Sequence, residues 1–201
     1  MEYFTVKVDG HSEKTIEKSL FIASCKRVET QEEARDFINS VKKKYSNATH
    51  NCHAYKLKDG SVKFSDDGEP SGTAGAPILS AIESENLCDT AVVITRYFGG
   101  IKLGTGGLTR AYFSCAKEGL QLSGKAKLVL CDVYSVVLSY EEFSALTSFL
   151  KDVTVINKEY SDCVKVEFAA EKGVDVVTQI SNKINKKPAI CLLKECFIER
   201  E

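Results

Sequence analysis

The sequence predicts an α+β protein built from two α/β sandwich domains, and three observations carry that expectation. The stretch AVVITRYFGGIKLGTGGLTRAY, residues 91–112, passes from an unbroken β-branched run through dense glycine into helical apolar spacing. Residues 125–201 then read strand, helix, strand, strand, helix, strand, the ferredoxin-like split unit. Between them Ser123-Gly124 breaks the helical pattern, so the expected domains are 1–124 and 125–201.

In order along the chain, 3–9 (YFTVKVD) and 19–25 (SLFIASC) read as strands, joined by a polar connection that holds His11. Thr30 with Glu33 three residues later predicts a capping box, and Ala34, Phe37, Ile38, Val41 and Tyr45 follow at helical spacing. The run Lys42 to Lys44 suits the C-terminal end of that helix. Residues 51–57 and 61–65 flank Asp59-Gly60 and predict a hairpin. After it, a helix carrying Ile78, Leu79 and Ile82 begins near Ala74 or Gly75, because Pro77 fits only the first turn; Ser71 or Thr73 is the expected cap. The strand from Ala91 and the helix with Leu108, Ala111, Tyr112, Cys115, Gly119 and Leu122 on one side complete the first domain. In the second, strands at 127–139, 153–157, 163–169 and 189–198 alternate with helices at 141–150 and 172–185.

The chain has 201 residues, 43% hydrophobic and 27% charged, with a formal net charge of −1. Residues 1–124 carry 16 basic and 16 acidic side chains, and 125–201 carry 11 and 12. Neither half is a polyelectrolyte, which argues against unaided tight binding to nucleic acid. Eight cysteines are scattered without a C-x-x-C, a pattern of reduced buried thiols rather than of disulfides or a zinc site. No apolar run approaches a membrane span and the N-terminus lacks a signal-peptide pattern, so the expected place is the cytoplasm, with no membrane partner.

Two stretches carry chemistry. Gly99, Gly100, Gly104, Gly106 and Gly107 fall within nine residues, bracketed by Arg96, Lys102 and Arg110. Free N–H groups at a helix start, together with these cations, predict an anion site. It is not a P-loop or a dinucleotide fingerprint, and a purely structural glycine crossover explains the stretch equally well. The second stretch, SDDGEPSGTAGAPIL at 65–79, sets Asp66, Asp67 and Glu69 in one turn. They either pair with Arg96 and Arg110, the favoured reading, or bind a cation and activate water. His50 and Cys52 share one strand face and His53 the other; a packed edge of a pocket is expected there ahead of catalysis. The second domain has no histidine and its carboxylates are dispersed, so no catalytic constellation is expected in it.

Residues 65–79 and 92–112, together with THNCHAY at 49–55, resemble the IMPACT/YigZ family, and the resemblance extends over the whole chain. It implies a first domain similar to one shared by a small-subunit ribosomal protein, elongation factor G and GHMP kinases. It also implies a C-terminal ferredoxin-like domain similar to a domain of elongation factor G. The eukaryotic relative regulates translation by competing for an activator of an initiation-machinery kinase, largely through an additional N-terminal domain; no such extension is expected here, so that mechanism is not carried over.

The leading expectation is a non-catalytic, translation-linked binding protein that contacts RNA, the ribosome or a translation factor through the glycine loop, with no cofactor and no metal. The alternative is an enzyme acting on a small phosphorylated or acyl substrate. Asp66, Asp67 or Glu69 would be its base or metal ligand, His50 its acid, and Arg96 and Arg110 its anion clamps. That reading requires the carboxylates to face a cavity rather than the arginines.

Overall fold

The computed structural model describes residues 1–200 and divides into two units, Tyr3–Lys127 and Met1–Glu2 with the chain from Leu128 onward. After β1 (Glu2–Val6), the first unit runs β2 (Gly10–Ile16), β3 (Ser19–Arg27), α1 (Gln31–Lys44), β4 (His50–Lys56), β5 (Val62–Ser65), α2 (Gly75–Ser84), β6 (Thr90–Tyr97) and α3 (Gly104–Ser123). Its sheet has the order β2-β3-β6-β4-β5, with antiparallel neighbours. β6 lies at the centre and is buried at every position but its last, which is why its sequence is a continuous apolar run rather than an alternation.

Successive β6 side chains still serve opposite faces. Val92 and Ile94 join Phe21, Cys52, Ile78 and Tyr112 in the core under α2 and α3. Ala91 and Val93 join Ala34, Ile38, Tyr55 and Leu57 under α1. Helices thus cover both faces of one sheet, and the loops at one end of β6 and β4 meet the starts of α2 and α3.

The second unit continues with β7 (Lys125–Leu138), α4 (Tyr140–Ala145), α5 (Phe149–Asp152), β8 (Thr154–Tyr160), β9 (Val164–Glu171), α6 (Val176–Ile184) and β10 (Ala189–Arg200). The second sheet has five strands in the order β1-β7-β9-β8, with β9 antiparallel to both β7 and β8 and β10 also paired with β7. The core holds Val136, Leu146, Phe149, Val166, Phe168 and Ile180, with Phe149 edge-on to Phe168. The chain is therefore mixed α+β with two sheets.

Four elements depart from the sequence reading. β2 is a strand that contains His11, not a connection: it pairs with β3 from Gly10↔Cys25 to Ile16↔Ser19. As an edge strand with mostly solvent-facing side chains it has no apolar alternation to read. Its hairpin turn is Glu17-Lys18, both at positive φ, in place of the usual Asn-Gly signal. Second, α3 begins at Gly104, so Gly104, Gly106 and Gly107 form the first helical turn rather than a loop. Third, Leu122 is exposed, off the buried stripe of α3. Fourth, the helix expected over 141–150 is split into α4 and α5.

Candidate functional site

Each carboxylate of the acidic turn has a structural task. Asp66 Oδ2 accepts from Gly72 N–H at 2.8 Å, and Oδ1 accepts from Ala74 and Gly75 N–H at 2.9 and 2.8 Å. No side chain caps α2 at Ala74, so Asp66 supplies acceptors for its first amides from eight residues upstream. Partial burial raises the Asp66 carboxyl pKa, but the three N–H donors outweigh it and hold the group below its ordinary value. Asp67 sits at φ +46° and accepts from Lys42 Nζ and from Asn51 N–H, each at 2.7 Å. Burial opposes ionisation there too, and Lys42 and Asn51 override it.

Glu69 is 8% exposed and Arg96 4%. Arg96 Nη1 donates to Glu69 Oε1 at 2.6 Å, and the Tyr112 hydroxyl donates to the same oxygen at 2.7 Å. His50 Nε2 lies 3.9 Å from it, while His50 Nδ1 is 2.8 Å from the Asp67 carbonyl. Antiparallel registration puts His50 and Phe21 directly beside Arg96 on the neighbouring strands. The guanidinium also reaches Ser19 Oγ at 3.3 Å and sits 5.4 Å from the ring centroids of both Phe21 and Phe98. Burying this cation is tolerable because Glu69 neutralises it; its Nε has no hydrogen-bond partner.

Above the pair lies a cavity of about 460 Å³ lined by, among others, His50, Glu69, Arg96, Phe98, Lys102 and Gly104. Thr105 and Leu108 bring the first turn of α3 to its wall. No side chain caps that helix at Leu103, and Gly104 enters it at φ +71°, a conformation that favours glycine. Gly99 serves packing: a Cβ there would lie 1.9 Å from the Lys18 carbonyl oxygen. Lys102 is exposed and makes no ion pair among the described residues.

The expected site is therefore gathered only in part. His50, Glu69, Arg96, Lys102 and Gly104 share one cavity; Gly99, Gly100, Gly106 and Gly107 shape the chain around it. The expected pairing of the acidic turn with Arg110 is corrected. Arg110 is exposed on α3, lining a different hollow with Gly72, Pro77 and Phe113, and makes no ion pair with the turn among the described residues. Asp66 and Asp67 face backbone amides and Lys42 rather than an arginine. Sequence reasoning missed Tyr112, placing it only on an apolar stripe; a tyrosine in such a stripe needs a hydroxyl partner, and that was the available signal. Cys52 is buried, 2.9 Å from the Asp66 carbonyl and 3.4 Å from the Tyr112 hydroxyl. Burial pushes its thiol up to about 12, which rules out a resting thiolate. Among the described residues no three His, Cys, Asp or Glu side chains are grouped to hold a metal ion. Among the described residues no helix is long and apolar enough to cross a membrane.

Residues 17–120 match the Impact N-terminal domain, a segment that contains every residue of this site from Ser19 to Tyr112. The chain belongs to the IMPACT family. Over 174 residues it is 45% identical to the IMPACT family member YvyE of Bacillus subtilis (strain 168), covering 85% of this chain and 80% of the relative. Over 161 residues it is 35% identical to the IMPACT family member YigZ of Escherichia coli (strain K12), covering 77% and 78%. A crystal structure described only as a hypothetical protein aligns with a TM-score of 0.64 at 26% identity, over 96% of this chain and 98% of that one. The IMPACT kinship thus spans both units, while the site lies in the first alone.

Proposed function

We propose that the protein is a non-catalytic, translation-linked binding protein that receives an anionic group of RNA, the ribosome or a translation factor in the cavity at the start of α3. The observation that carries this reading is the commitment of the carboxylates. Asp66 caps α2, Asp67 holds Lys42 and Asn51, and Glu69 neutralises Arg96. Glu69 lines the cavity, but its Oε1 is taken up by Arg96 and Tyr112, and Cys52 is held as a thiol. What remains available in the cavity is positive: Lys102 and the uncapped first turn of α3. The link to translation rests on IMPACT membership and on what the family resemblance implies for its eukaryotic members. We read the second unit, with β10 and β9 flanking β7, as a ferredoxin-like contact domain.

The test is co-sedimentation of the full chain with ribosomes and with total RNA at two salt concentrations. Binding is expected at about 50 mM salt and should weaken markedly by about 200 mM. Lys102→Ala should weaken it several-fold, whereas Arg110→Ala should not, because Arg110 faces away. Failure of the wild-type chain to sediment at low salt sinks the reading, as does indifference to Lys102→Ala.

The cavity itself favours a second reading, a small-molecule site. Its 460 Å³ suits a compact ligand, with Phe98, 46% exposed, as an aromatic wall. An RNase-insensitive rise in melting temperature with phosphorylated metabolites would support that alternative over the first.

A further inference from the structure

A second hollow, of about 370 Å³, lies on the opposite face of the same sheet and is distinct from the cavity at α3. One wall is α1. Gln31, Arg35, Ile38, Asn39 and Lys42 line the hollow at intervals of three and four residues, so they form one stripe along that helix. The other wall is the β4–β5 hairpin. His53 and Tyr55 are two apart on β4 and point to the same side, and Lys63 stands directly across from Tyr55 in the register.

The charge on this lining is one-sided: Arg35, Lys42 and Lys63 contribute to it and no carboxylate does. Lys42 is already balanced, its ammonium 2.7 Å from Asp67 Oδ1. Arg35 and Lys63 make no ion pair or side-chain hydrogen bond among the described residues, so two cations on facing elements converge on one concavity without a counter-charge. A concave, partly dry wall screens such charges less than open water does. An anion in the concavity would supply the counter-charge that its lining lacks.

Hydrogen-bonding capacity has the same polarity. Arg35 presents a planar fork of donors and Lys63 a mobile ammonium. Asn39 adds an amide, and Gln31, whose Nε2 donates to Ser61 Oγ at 3.1 Å, retains a second N–H. A carboxylate offers two oxygens in one plane. A phosphate offers three or more arranged tetrahedrally, and so can accept from the helix and from the hairpin at once. The hollow is larger than a phosphate group, and its remaining surface is Ile38 with Tyr55, an apolar floor fit for a small organic body. Bounded by one helix face and one hairpin rather than extended as a track, it favours a free small molecule over a nucleic-acid backbone.

We infer that the hollow between α1 and the β4–β5 hairpin binds the phosphate group of a small phosphorylated molecule, held by Arg35 from the helix and Lys63 from the hairpin. His53 supplies an internal reporter. Burial holds its imidazole below the ordinary histidine value, with Lys42 and Lys63 pushing the same way against the Asn51 carbonyl and Asp67. A bound dianion beside Lys63 favours the imidazolium and moves the His53 titration upward. The inference does not rest on the reading of the α3 cavity.

The experiment is titration of the isotope-labelled full chain with inorganic phosphate and with glycerol 3-phosphate at low ionic strength, followed by NMR. Saturable shifts are expected at the amides of Asn39, His53 and Lys63, with glycerol 3-phosphate binding more tightly than inorganic phosphate and the His53 midpoint raised by either. Arg35→Gln and Lys63→Gln should each weaken binding about tenfold, the loss of one charge-assisted contact. Both side chains are exposed, so the melting temperature should hold and separate lost binding from lost folding. Shifts that never saturate, shifts confined to the first turn of α3, an unmoved His53 midpoint, or unchanged affinity in both glutamine variants would each overturn the assignment.

Discussion

Replacing Arg96 by alanine leaves Glu69 buried with a negative charge and one remaining donor, Tyr112. Removing one partner of a buried ion pair typically costs about 3–5 kcal/mol, most of it the penalty of the stranded charge. The expected result for Arg96→Ala is therefore a large fall in the denaturant midpoint, with Glu69→Gln milder because the amide still accepts from Tyr112. The Arg96→Ala, Glu69→Gln double variant should recover part of the loss, and the cycle should show coupling of at least about 1 kcal/mol. Additive single effects in urea unfolding would mean that the pair is not a unit. Pairing of Arg96 with the acidic turn was legible from composition alone, since a cation beside a central apolar strand needs a nearby carboxylate. The fate of Arg110 was legible too, and misread. It lies two residues after Leu108 and one before Ala111, both on the buried stripe, and at 3.6 residues per turn position 110 falls on the far side.

Two helices of the first unit begin without a side-chain cap of their own, and they are treated differently. The first amides of α2 are taken by Asp66, whereas α3 opens onto the cavity. Sequence placed the start of α2 within a residue because of Pro77, but proposed Ser71 or Thr73 as the cap; an acceptor reaching across a turn leaves no local spacing to recognise. The Thr30 box was half right. Thr30 Oγ1 accepts from Glu33 N–H at 3.1 Å, yet Glu33 reaches back to the N–H of Glu29, not of Thr30. Asp66→Asn tests the role of the charge at α2. The folded-state pKa of Asp66 lies below its unfolded value of about 3.8. Its contribution is therefore complete above that value and is lost as pH falls through the lower folded one. Wild type should exceed Asp66→Asn in urea stability by about 1 kcal/mol at pH 6, and the gap should shrink towards pH 2.5. An equal gap at both pH values would assign the difference to geometry and not to charge.

At the scale of the whole chain, two cores explain both what the sequence could declare and how the molecule should respond to division. In the second unit Val164, Val166 and Phe168 alternate as a strand, and all three are buried; helical spacing of Val177, Ile180 and Ile184 announces α6 but misplaces its stripe by one residue, since Val176 is buried and Val177 exposed. What could not be read was sheet order, because β6 is sandwiched between β3 and β4 through pairings that run from Lys56↔Thr90 to Leu20↔Tyr97, 34 to 77 residues apart; nothing local encodes such partners. The buried clusters under α2 and α3 and under α1 draw only on residues from Val6 to Leu120. Those of the second unit draw only on residues from Cys131 to Ile198. Each unit thus has its own apolar interior, the usual requirement for independent folding. A chain of residues 1–127 is expected to fold, to unfold in one cooperative step, and to keep the amide spectrum of β4, β6 and α3 seen in the full protein. Glycerol 3-phosphate should still shift Asn39 and Lys63 in it, since every residue lining that hollow is retained. If the excised chain gave a collapsed spectrum without dispersed amides, the interiors would not be separable, and the assignment of both sites to one self-sufficient unit would have to be abandoned.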